Sequence, residues 1–181
     1  MEMYKLKFTR LQNEILRLLC IKAGEKLNQG EIAKLLGVSP TAISKVLPLL
    51  EKEGLIQIEK SKKMNLILIS LDRTSQKAMQ LKRTENLRMI YDSGLSAYLE
   101  ESFQGATIIL FGSYSRGDDT ISSDIDIAII GRNEKEIGFD EYEKTLQRKI
   151  ILNFYPSFKE IHKHLKENIL NGILLSGGVE L

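Results

Sequence analysis

A glycine–serine pair and an aspartate pair in the second half of the chain have the residue types needed for phosphate and metal chemistry. Gly112 and Ser113 directly follow the apolar run at 107–111, and ten residues separate Ser113 from Asp124, the first aspartate of the pair with Asp126. Because side chains alternate along a strand, both carboxylates are expected on one face, where an oxygen-seeking cation such as Mg²⁺ relieves their repulsion. A glycine–serine turn lets backbone N–H groups approach an anion closely. Together the two pairs predict nucleotide chemistry.

The P-loop and the nucleophile elbow use similar residue types, but neither motif matches this sequence. Gly112 and Gly117 have the glycine spacing of a P-loop, but Asp118 stands where that loop requires a lysine. The sequence contains no nucleophile elbow of the G-x-S-x-G type. His162 and His164 lie two positions apart on an expected helix, so they face different directions and make a poor metal pair.

The elements that must position this chemistry are predicted to form an α/β unit with a small mixed sheet. Apolar runs indicate three strands, and amphipathic stretches between and after them indicate two helices. Asn171 and Gly172 are expected to end the last helix, and the tail from Ser176 is expected to be frayed. Asp118 and Asp119 are interpreted as a solvated loop. The predicted strands cover 106–111, 124–130 and 149–155, and the predicted helices cover 139–148 and 157–170.

The composition is that of a globular protein with an uneven distribution of charge. The 181 residues are 43% hydrophobic, and the single cysteine, Cys20, cannot form an internal disulfide. No apolar run is long enough for a membrane span and no signal-peptide core is present, which favours a cytoplasmic protein without a membrane partner. Residues 1–71 contain 12 basic and 7 acidic residues, 72–104 contain 5 of each, and 105–181 contain 9 basic and 12 acidic residues. This asymmetry predicts two modules, 1–71 and 105–181, that have different partners.

Three helices are predicted in the first module. The first is expected over residues 8–22, and Asn28 with Glu31 has the spacing of a capping box that opens a short second helix. A serine and a proline at 39–40 supply the N-cap and the first-turn proline of a third helix. Pro48 inside this helix is expected to kink it or to end its regular part early.

A β-hairpin is expected next, with strands at 55–58 and 65–69 around a turn at 59–64. Three helices and a hairpin, with a tight Gly-Val-Ser-Pro turn before the third helix, resemble a winged helix-turn-helix domain. In that family the third helix enters the DNA major groove and the hairpin contacts the backbone, so the resemblance implies DNA as a partner. The alternative is a fold that mediates only protein contacts or dimerisation. The implied DNA contacts are Ser39, Thr41, Ala42, Ser44 and Lys45 on the helix and Lys60, Lys62 and Lys63 on the wing.

Residues 72–104 are predicted to be a helical linker. Partly periodic apolar residues indicate one or two helices over 75–101, with a break at Gly94. These helices can form a rigid spacer, a dimerisation stripe or a packing layer, and the sequence leaves all three open. Homodimer formation is therefore left open as well.

The second module resembles a family of transferases. A strand, a Gly-Ser turn, ten further residues and Asp-x-Asp follow in the order of the minimal nucleotidyltransferase branch of the polymerase-β superfamily. The resemblance implies an α+β chain in which a helical linker joins the winged helix to this fold. It also implies Mg²⁺ as cofactor and ATP or another nucleoside triphosphate as substrate, with an acceptor oxygen attacking the α-phosphorus and pyrophosphate leaving. The implied site is Asp124 and Asp126 for catalysis and metal binding, with Gly112, Ser113, Arg116 and Ser123 for the nucleotide.

One departure from that family concerns a third carboxylate, which its active members usually carry on a later strand. The matching strand at 149–155 contains no acid; Asn153 is its expected occupant, and Glu160 on the following helix is a second candidate. Two functions therefore stay open. The chain is either a transferase that modifies an acceptor, such as a partner protein or toxin, or a winged-helix transcriptional regulator or antitoxin whose second module binds nucleotide or partner without turnover.

Overall fold

The computed structural model describes residues 8–61 and 66–180, and its contacts divide the chain into two compact units between Lys82 and Arg83. Helices and two small sheets give the mixed α+β class that the sequence predicts. The division falls within the predicted linker at 72–104, whose bounds stay a prediction. The first unit contains α1 (Arg10–Ile21), β1 (Leu27–Asn28), α2 (Gln29–Leu36), α3 (Pro40–Lys52), β2 (Ile56–Ser61) and β3 (Leu66–Leu71), and α4 (Gln76–Asp92) crosses the division. The second unit continues with α5 (Leu95–Ser102), β4 (Thr107–Phe111), α6 (Gly112–Arg116), β5 (Ile125–Ile130), α7 (Asp140–Leu146), β6 (Ile150–Tyr155), a 3-10 helix (Phe158–Glu160), α8 (Lys163–Leu170) and β7 (Ile173–Ser176).

Local capping sets the helix starts of the first unit. Thr9 and Gln12 form a capping box, which is why α1 begins at Arg10 rather than at residue 8. The predicted capping box of Asn28 and Glu31 is confirmed at the start of α2. Ser39 caps α3, as predicted, because its hydroxyl accepts the N–H of Ala42 at 3.2 Å.

The early end predicted at Pro48 is wrong, because α3 continues to Lys52. Leu47 and Leu50 are 2% and 0% exposed on either side of the proline. Burying two such side chains contributes roughly 3–6 kcal/mol, which offsets the ~3 kcal/mol that an internal proline costs. The apolar core of the unit therefore holds the helix together through the proline.

The hairpin strands of the first unit are longer than predicted. The sequence pattern places Glu59 and Lys60 in the turn, but they pair with Leu68 and Ile67 inside the antiparallel ladder of β2 and β3. β1 adds to the other edge, so the sheet order is β1-β3-β2. The two wing lysines predicted at 62–63 lie outside the described residues.

The predicted helix break at Gly94 is confirmed, since this residue has a φ of +80° between α4 and α5. Ala78 on α4 is fully buried in the core of the first unit. Ile90, Leu95 and Leu99 are fully buried in the core of the second unit. These helices therefore act as packing layers, one of the three roles that the sequence leaves open.

The second unit is built on a mixed sheet, as predicted, but the sheet has four strands rather than three, in the order β6-β5-β4-β7. β4 runs antiparallel to β5 and β7, whereas β5 and β6 are parallel. The prediction of a frayed tail is wrong at Ser176, because this residue pairs with Ile108 as the last residue of β7 and its hydroxyl donates to Glu100 at 3.1 Å. The fourth strand thus closes one edge of the sheet over the start of β4.

The single helix predicted over 157–170 is also wrong. The 3-10 helix ends at Glu160, the next residue, Ile161, is 4% exposed and has an extended backbone, and α8 begins only at Lys163. Burial of Phe158 and Ile161 in one apolar cluster requires this break. His162 therefore precedes the helix, and its ring lies 5.6 Å from that of His164 rather than facing away from it.

No single helix in residues 8–61 and 66–180 is long and apolar enough to cross a membrane. The pair formed by α2 and α3 reaches that length and composition only across a bend of 109°.

Candidate functional site

The structure brings the predicted glycine–serine turn against the second aspartate of the pair. Phe111, the last residue of β4, lies opposite Asp126 in the antiparallel ladder, so the turn after β4 meets the start of β5. A Cβ atom at Gly112 would lie 2.5 Å from Asp126 Oδ2, and the φ of Gly112 is +72°. Only glycine satisfies both conditions, because other residues resist this backbone region and would collide with the carboxylate.

The turn itself is the short helix α6, which ends at Gly117 with a φ of +83°. Ser113 is half-buried in its first turn, while Tyr114 and Ser115 are buried beneath it. The carbonyl of Ser113 accepts the N–H of Asp118 at 3.0 Å, which closes the turn. The first N–H groups of a helix have no acceptor within the helix and are suited to an anion.

Asp124 and Asp126 bring two carboxyl groups together at the start of β5. Asp124 is exposed just before β5, and Asp126 is half-buried. Burial, and then repulsion from Asp124, raise the pKa of Asp126 above its usual range. Neither carboxylate forms an ion pair with any residue in the described ranges. A bound cation would relieve this repulsion.

The donor set fits Mg²⁺ that is shared with phosphate groups. Asp124 and Asp126 offer carboxylate oxygens, the ligands that Mg²⁺ prefers, and this ion usually completes its shell with water and substrate phosphates. No cluster of three or more histidine, cysteine or acidic side chains that could hold a metal occurs within 8–61 and 66–180. The pair is therefore a two-carboxylate site rather than a closed protein cage.

The strand pairing changes the prediction for the third carboxylate position. The parallel ladder places Ile151 of β6 beside Asp126, whereas Asn153 pairs with Ala128 two residues farther along. Glu160 follows the far end of β6, so the length of the strand separates it from the aspartates at the start of β5. The side chain next to Asp126 on β6 is thus an isoleucine, and neither predicted candidate occupies this place.

Two further predicted nucleotide contacts have partners within the protein. Arg116 is exposed, and its guanidinium donates to Asp118 at 3.0 Å and to Asn168 of α8 at 3.1 Å. The hydroxyl of Ser123 accepts the N–H of Thr120 at 3.0 Å and so shapes the loop that leads to Asp124. Both residues lie in segments that adjoin the aspartate pair, and both are already engaged.

The prediction that Asp119 belongs to a solvated loop is wrong. Its side chain is 0% exposed and pairs with Arg148 at 3.2 Å, and the Arg148 side chain is 2% exposed. The amide of Asn86 donates to the other carboxylate oxygen at 2.7 Å and to the carbonyl of Tyr114 at 2.9 Å. This buried network joins α4, the α6 turn and the segment before β6, and it anchors the loop that leads to Asp124 at Asp119.

Sequence reasoning also missed a charged pair beside Asp124. Lys149 donates to Glu143 of α7 at 3.0 Å, and the other oxygen of Glu143 accepts the N–H of Ile150 at 3.0 Å. A cavity of about 530 Å³ is lined by both members of this pair and by Asp124. The signal in the sequence is weak, because one lysine before a strand is ordinarily a solvated residue.

In the first unit, most of the predicted DNA contacts are exposed on the surface. Thr41, Ser44 and Lys45 are exposed on α3, and Lys60 is exposed on β2. Ala42 is half-buried instead of exposed. The exposed hydroxyl of Ser39 is occupied as the helix cap. Exposure and positive charge suit a phosphate backbone, since lysines there displace counterions.

Comparison with known proteins confirms both predicted resemblances. Residues 93–175 match the family described as a nucleotidyltransferase domain, and residues 11–63 match the MarR family. A curated relative from Methanocaldococcus jannaschii, named putative protein adenylyltransferase MJ0604, is 51% identical over 47 residues. These residues are 26% of this chain and 42% of the relative, so the match spans less than half of the relative's length.

Solved structures are also similar to part of this chain, with TM-scores below 0.5. The adhesin competence repressor AdcR of Streptococcus pyogenes has a TM-score of 0.42 and 21% identity, covering 54% of this chain and 69% of that one. The zinc-responsive MarR family member ZitR of Lactococcus lactis has a TM-score of 0.40 and 28% identity, covering 54% and 63%. The two family matches therefore indicate a MarR-like winged helix at residues 11–63 and a nucleotidyltransferase domain at residues 93–175.

Proposed function

We propose that the second unit is a Mg²⁺-dependent nucleotidyltransferase that transfers a nucleoside monophosphate from ATP or another nucleoside triphosphate to a hydroxyl group of a partner protein. The observation that carries this proposal is the position of the Asp126 carboxylate against Gly112, at the turn that opens α6. This position supports a site in which phosphates bound to the metal ion also contact the N–H groups of the turn. A protein acceptor is proposed by analogy with the name of the Methanocaldococcus jannaschii relative.

Each proposed role follows from the position of a residue. Asp124 and Asp126 would hold Mg²⁺, which when bound neutralises phosphate charge and stabilises the leaving pyrophosphate. Gly112 permits the close approach, and Ser113 with the N–H groups at the start of α6 would bind the terminal phosphates. The acceptor oxygen forms a bond to the α-phosphorus while the bond to the β-phosphate oxygen breaks, and the acceptor proton passes to water.

Arg116 and Ser123 have less direct proposed roles at the nucleotide. Arg116 would exchange its contacts with Asp118 and Asn168 for the triphosphate, which an exposed guanidinium can do at small cost. Ser123 would act by holding the loop before Asp124, because its hydroxyl already accepts a backbone N–H there.

A second candidate function is a regulator or antitoxin whose nucleotidyltransferase domain binds nucleotide without turnover. The observation that favours it is Ile151, which stands beside Asp126 where a third carboxylate would assist the attacking hydroxyl. The two functions share the same metal and nucleotide site, and they differ in whether labelled nucleotide becomes covalently attached to an acceptor.

For the first unit we propose DNA binding through α3 and β2. The exposed side chains of Thr41, Ser44 and Lys45 on α3 support contact with base edges and phosphates, and Lys60 on β2 supports contact with the backbone. The match to the MarR family supports the same proposal. The two lysines at 62–63 remain proposed wing contacts from the sequence alone.

Transfer of labelled nucleotide tests the proposed enzyme. The full chain is incubated with Mg²⁺, ATP labelled on the α-phosphate, and the proteins encoded beside it, and label on a protein band is measured. We expect label on one partner, lost in Asp124→Ala and kept in Asp140→Ala, an exposed aspartate that lines the same cavity. Binding of ATP with no label on any partner would favour the non-catalytic regulator.

A further inference from the structure

We propose that Lys149 is a phosphate-binding residue of the nucleotide site. Two carboxylates hold only one metal ion, and the ammonium group of Lys149 supplies the positive charge that a second metal ion would otherwise bring. This inference rests on the proposed function, because it concerns the triphosphate that the site would bind. Lys149 is not among the residues that the Gly-Ser and Asp-x-Asp pattern identifies.

The need for such a cation follows from the charges at the site. A nucleoside triphosphate carries more negative charge than one divalent ion neutralises, and phosphoryl transfer is catalysed mainly by positioning and charge stabilisation. Asp124 and Asp126 provide ligands for one metal ion, and the side chain beside Asp126 on β6 is Ile151. A second metal ion would lack an acidic ligand from this strand. A fixed ammonium group can neutralise the remaining charge of the triphosphate without an acidic ligand.

The backbone places Lys149 on the side of the sheet that carries the aspartates. Its carbonyl accepts the N–H of Ile125 at 2.8 Å, and Ile150 pairs with Ile125 in the ladder. Ile125 and Ile150 are 0% and 6% exposed, so both point into the core. Because side chains alternate along a strand, the neighbours Asp124 and Lys149 both lie on the opposite face.

The side chain of Lys149 is held near Asp124 but is open to a ligand. Its ammonium group donates to Glu143 Oε2 at 3.0 Å, while Glu143 Oε1 is fixed by the N–H of Ile150. Glu143, and more weakly Asp140 and Asp124, raise the pKa of Lys149, which therefore stays protonated at neutral pH. The side chain is 74% exposed and lines the cavity that Asp124 also lines.

The other basic groups of this cavity are less suited to the role. Arg148 is paired with Asp119 and its side chain is only 2% exposed, so a ligand in the cavity cannot reach its charge as it can reach that of Lys149. Lys144 is exposed on α7 and lines the same cavity, but it lies outside the ladder that places Lys149 beside Ile125, the neighbour of Asp124. Lys144 is therefore a suitable control for the loss of charge at Lys149, since it carries the same charge and lines the same cavity.

Calorimetry on the full chain tests the inference with three ligands, which are Mg²⁺ alone, Mg²⁺ with a non-hydrolysable ATP analogue, and AMP. Removing a cation next to Asp124 favours the metal but disfavours the triphosphate. In Lys149→Met we expect affinity for the analogue to fall about tenfold, while affinity for Mg²⁺ alone stays the same or rises about threefold. Lys149→Arg should keep most of the affinity, and Lys144→Met should change neither. AMP should lose less affinity than the analogue in Lys149→Met, because it carries fewer phosphates.

A loss of affinity for the triphosphate without a loss for Mg²⁺ distinguishes phosphate binding from a structural role, which would weaken the binding of both ligands. Equal loss of Mg²⁺ and analogue in Lys149→Met would overturn the inference, and so would equal affinities in Lys149→Met and Lys144→Met. Failure of the wild-type chain to bind the analogue would instead overturn the proposed function and the inference with it. Binding by the wild type with unchanged binding by Lys149→Met refutes the inference alone.

Discussion

Replacing Gly112 with alanine tests the contact on which the proposed site depends. The new Cβ would lie 2.5 Å from Asp126 Oδ2, about 1 Å closer than an ordinary contact, so the carboxylate must move by about that distance. The residue also keeps a φ of +72°, which costs roughly 1–2 kcal/mol for an L-residue other than glycine. The substitution therefore has one cost in stability and a separate cost at the site.

Gly131→Ala separates these two costs. Gly131 lies in the same unit with a φ of +86°, but its Cβ would meet nothing within 4 Å. Both variants should lose roughly 1–2 kcal/mol of unfolding free energy in urea. Only Gly112→Ala should also lose ligand affinity and activity, because a displacement of about 1 Å in a reacting group costs about 100-fold in rate.

The assay for this pair is calorimetric binding of Mg²⁺ with an ATP analogue at a temperature where both variants are folded, followed by label transfer. The expected result is near-wild-type binding by Gly131→Ala and at least about tenfold weaker binding by Gly112→Ala. If the two variants bind the analogue equally well, the close contact between Gly112 and the carboxylate has no part in nucleotide binding.

Three further predictions concern charge. Because the folded-state pKa of Asp126 is raised above its unfolded value, ionised Asp126 opposes folding at pH 7, and this opposition disappears as the pH falls through the raised pKa. Asp126→Asn should therefore raise the urea midpoint at pH 7 and have a progressively smaller effect towards pH 4; a lower midpoint at pH 7 would contradict the burial argument. Arg148→Met leaves Asp119 buried without its cation and should cost about 3–5 kcal/mol by urea unfolding, whereas a cost below about 1 kcal/mol would show that the pair is solvated. Lys45→Ala and Lys60→Ala should each weaken DNA binding and reduce the slope of log affinity against log salt by about 1, and unchanged slopes would remove these lysines from the DNA contact.

Local sequence patterns predicted the elements that local physics determines. The capping box of Asn28 and Glu31, the cap at Ser39 and the break at Gly94 each depend on residues within one turn of the chain. The Gly-Ser and Asp-x-Asp pattern can be recognised in the sequence for the same reason, because strand alternation and a glycine turn are also local features. These elements identified the two domain types.

Features that depend on distant partners could not be predicted in the same way. Asp119 has the local sequence of a loop residue, and its burial in the core depends on two distant partners, Asn86 and Arg148, which lie 33 and 29 positions away. Assigning Ile151 rather than Asn153 to the place beside Asp126 requires the register between two strands, which no local pattern states. Ser176 pairs with Ile108 on a strand far earlier in the chain, so its place in the sheet is likewise invisible locally.

Asp124 and Asp126 are proposed to form a Mg²⁺-dependent nucleotide site, and every functional role assigned to the second unit depends on it. Calorimetric titration of Mg²⁺ and an ATP analogue into the wild type, the Asp124→Ala Asp126→Ala double variant and Asp140→Ala tests this site most directly. We expect saturable, Mg²⁺-dependent binding by the wild type and Asp140→Ala, and no binding by the double variant. Equal binding by the folded double variant, or no binding by the wild type, would contradict the proposed site.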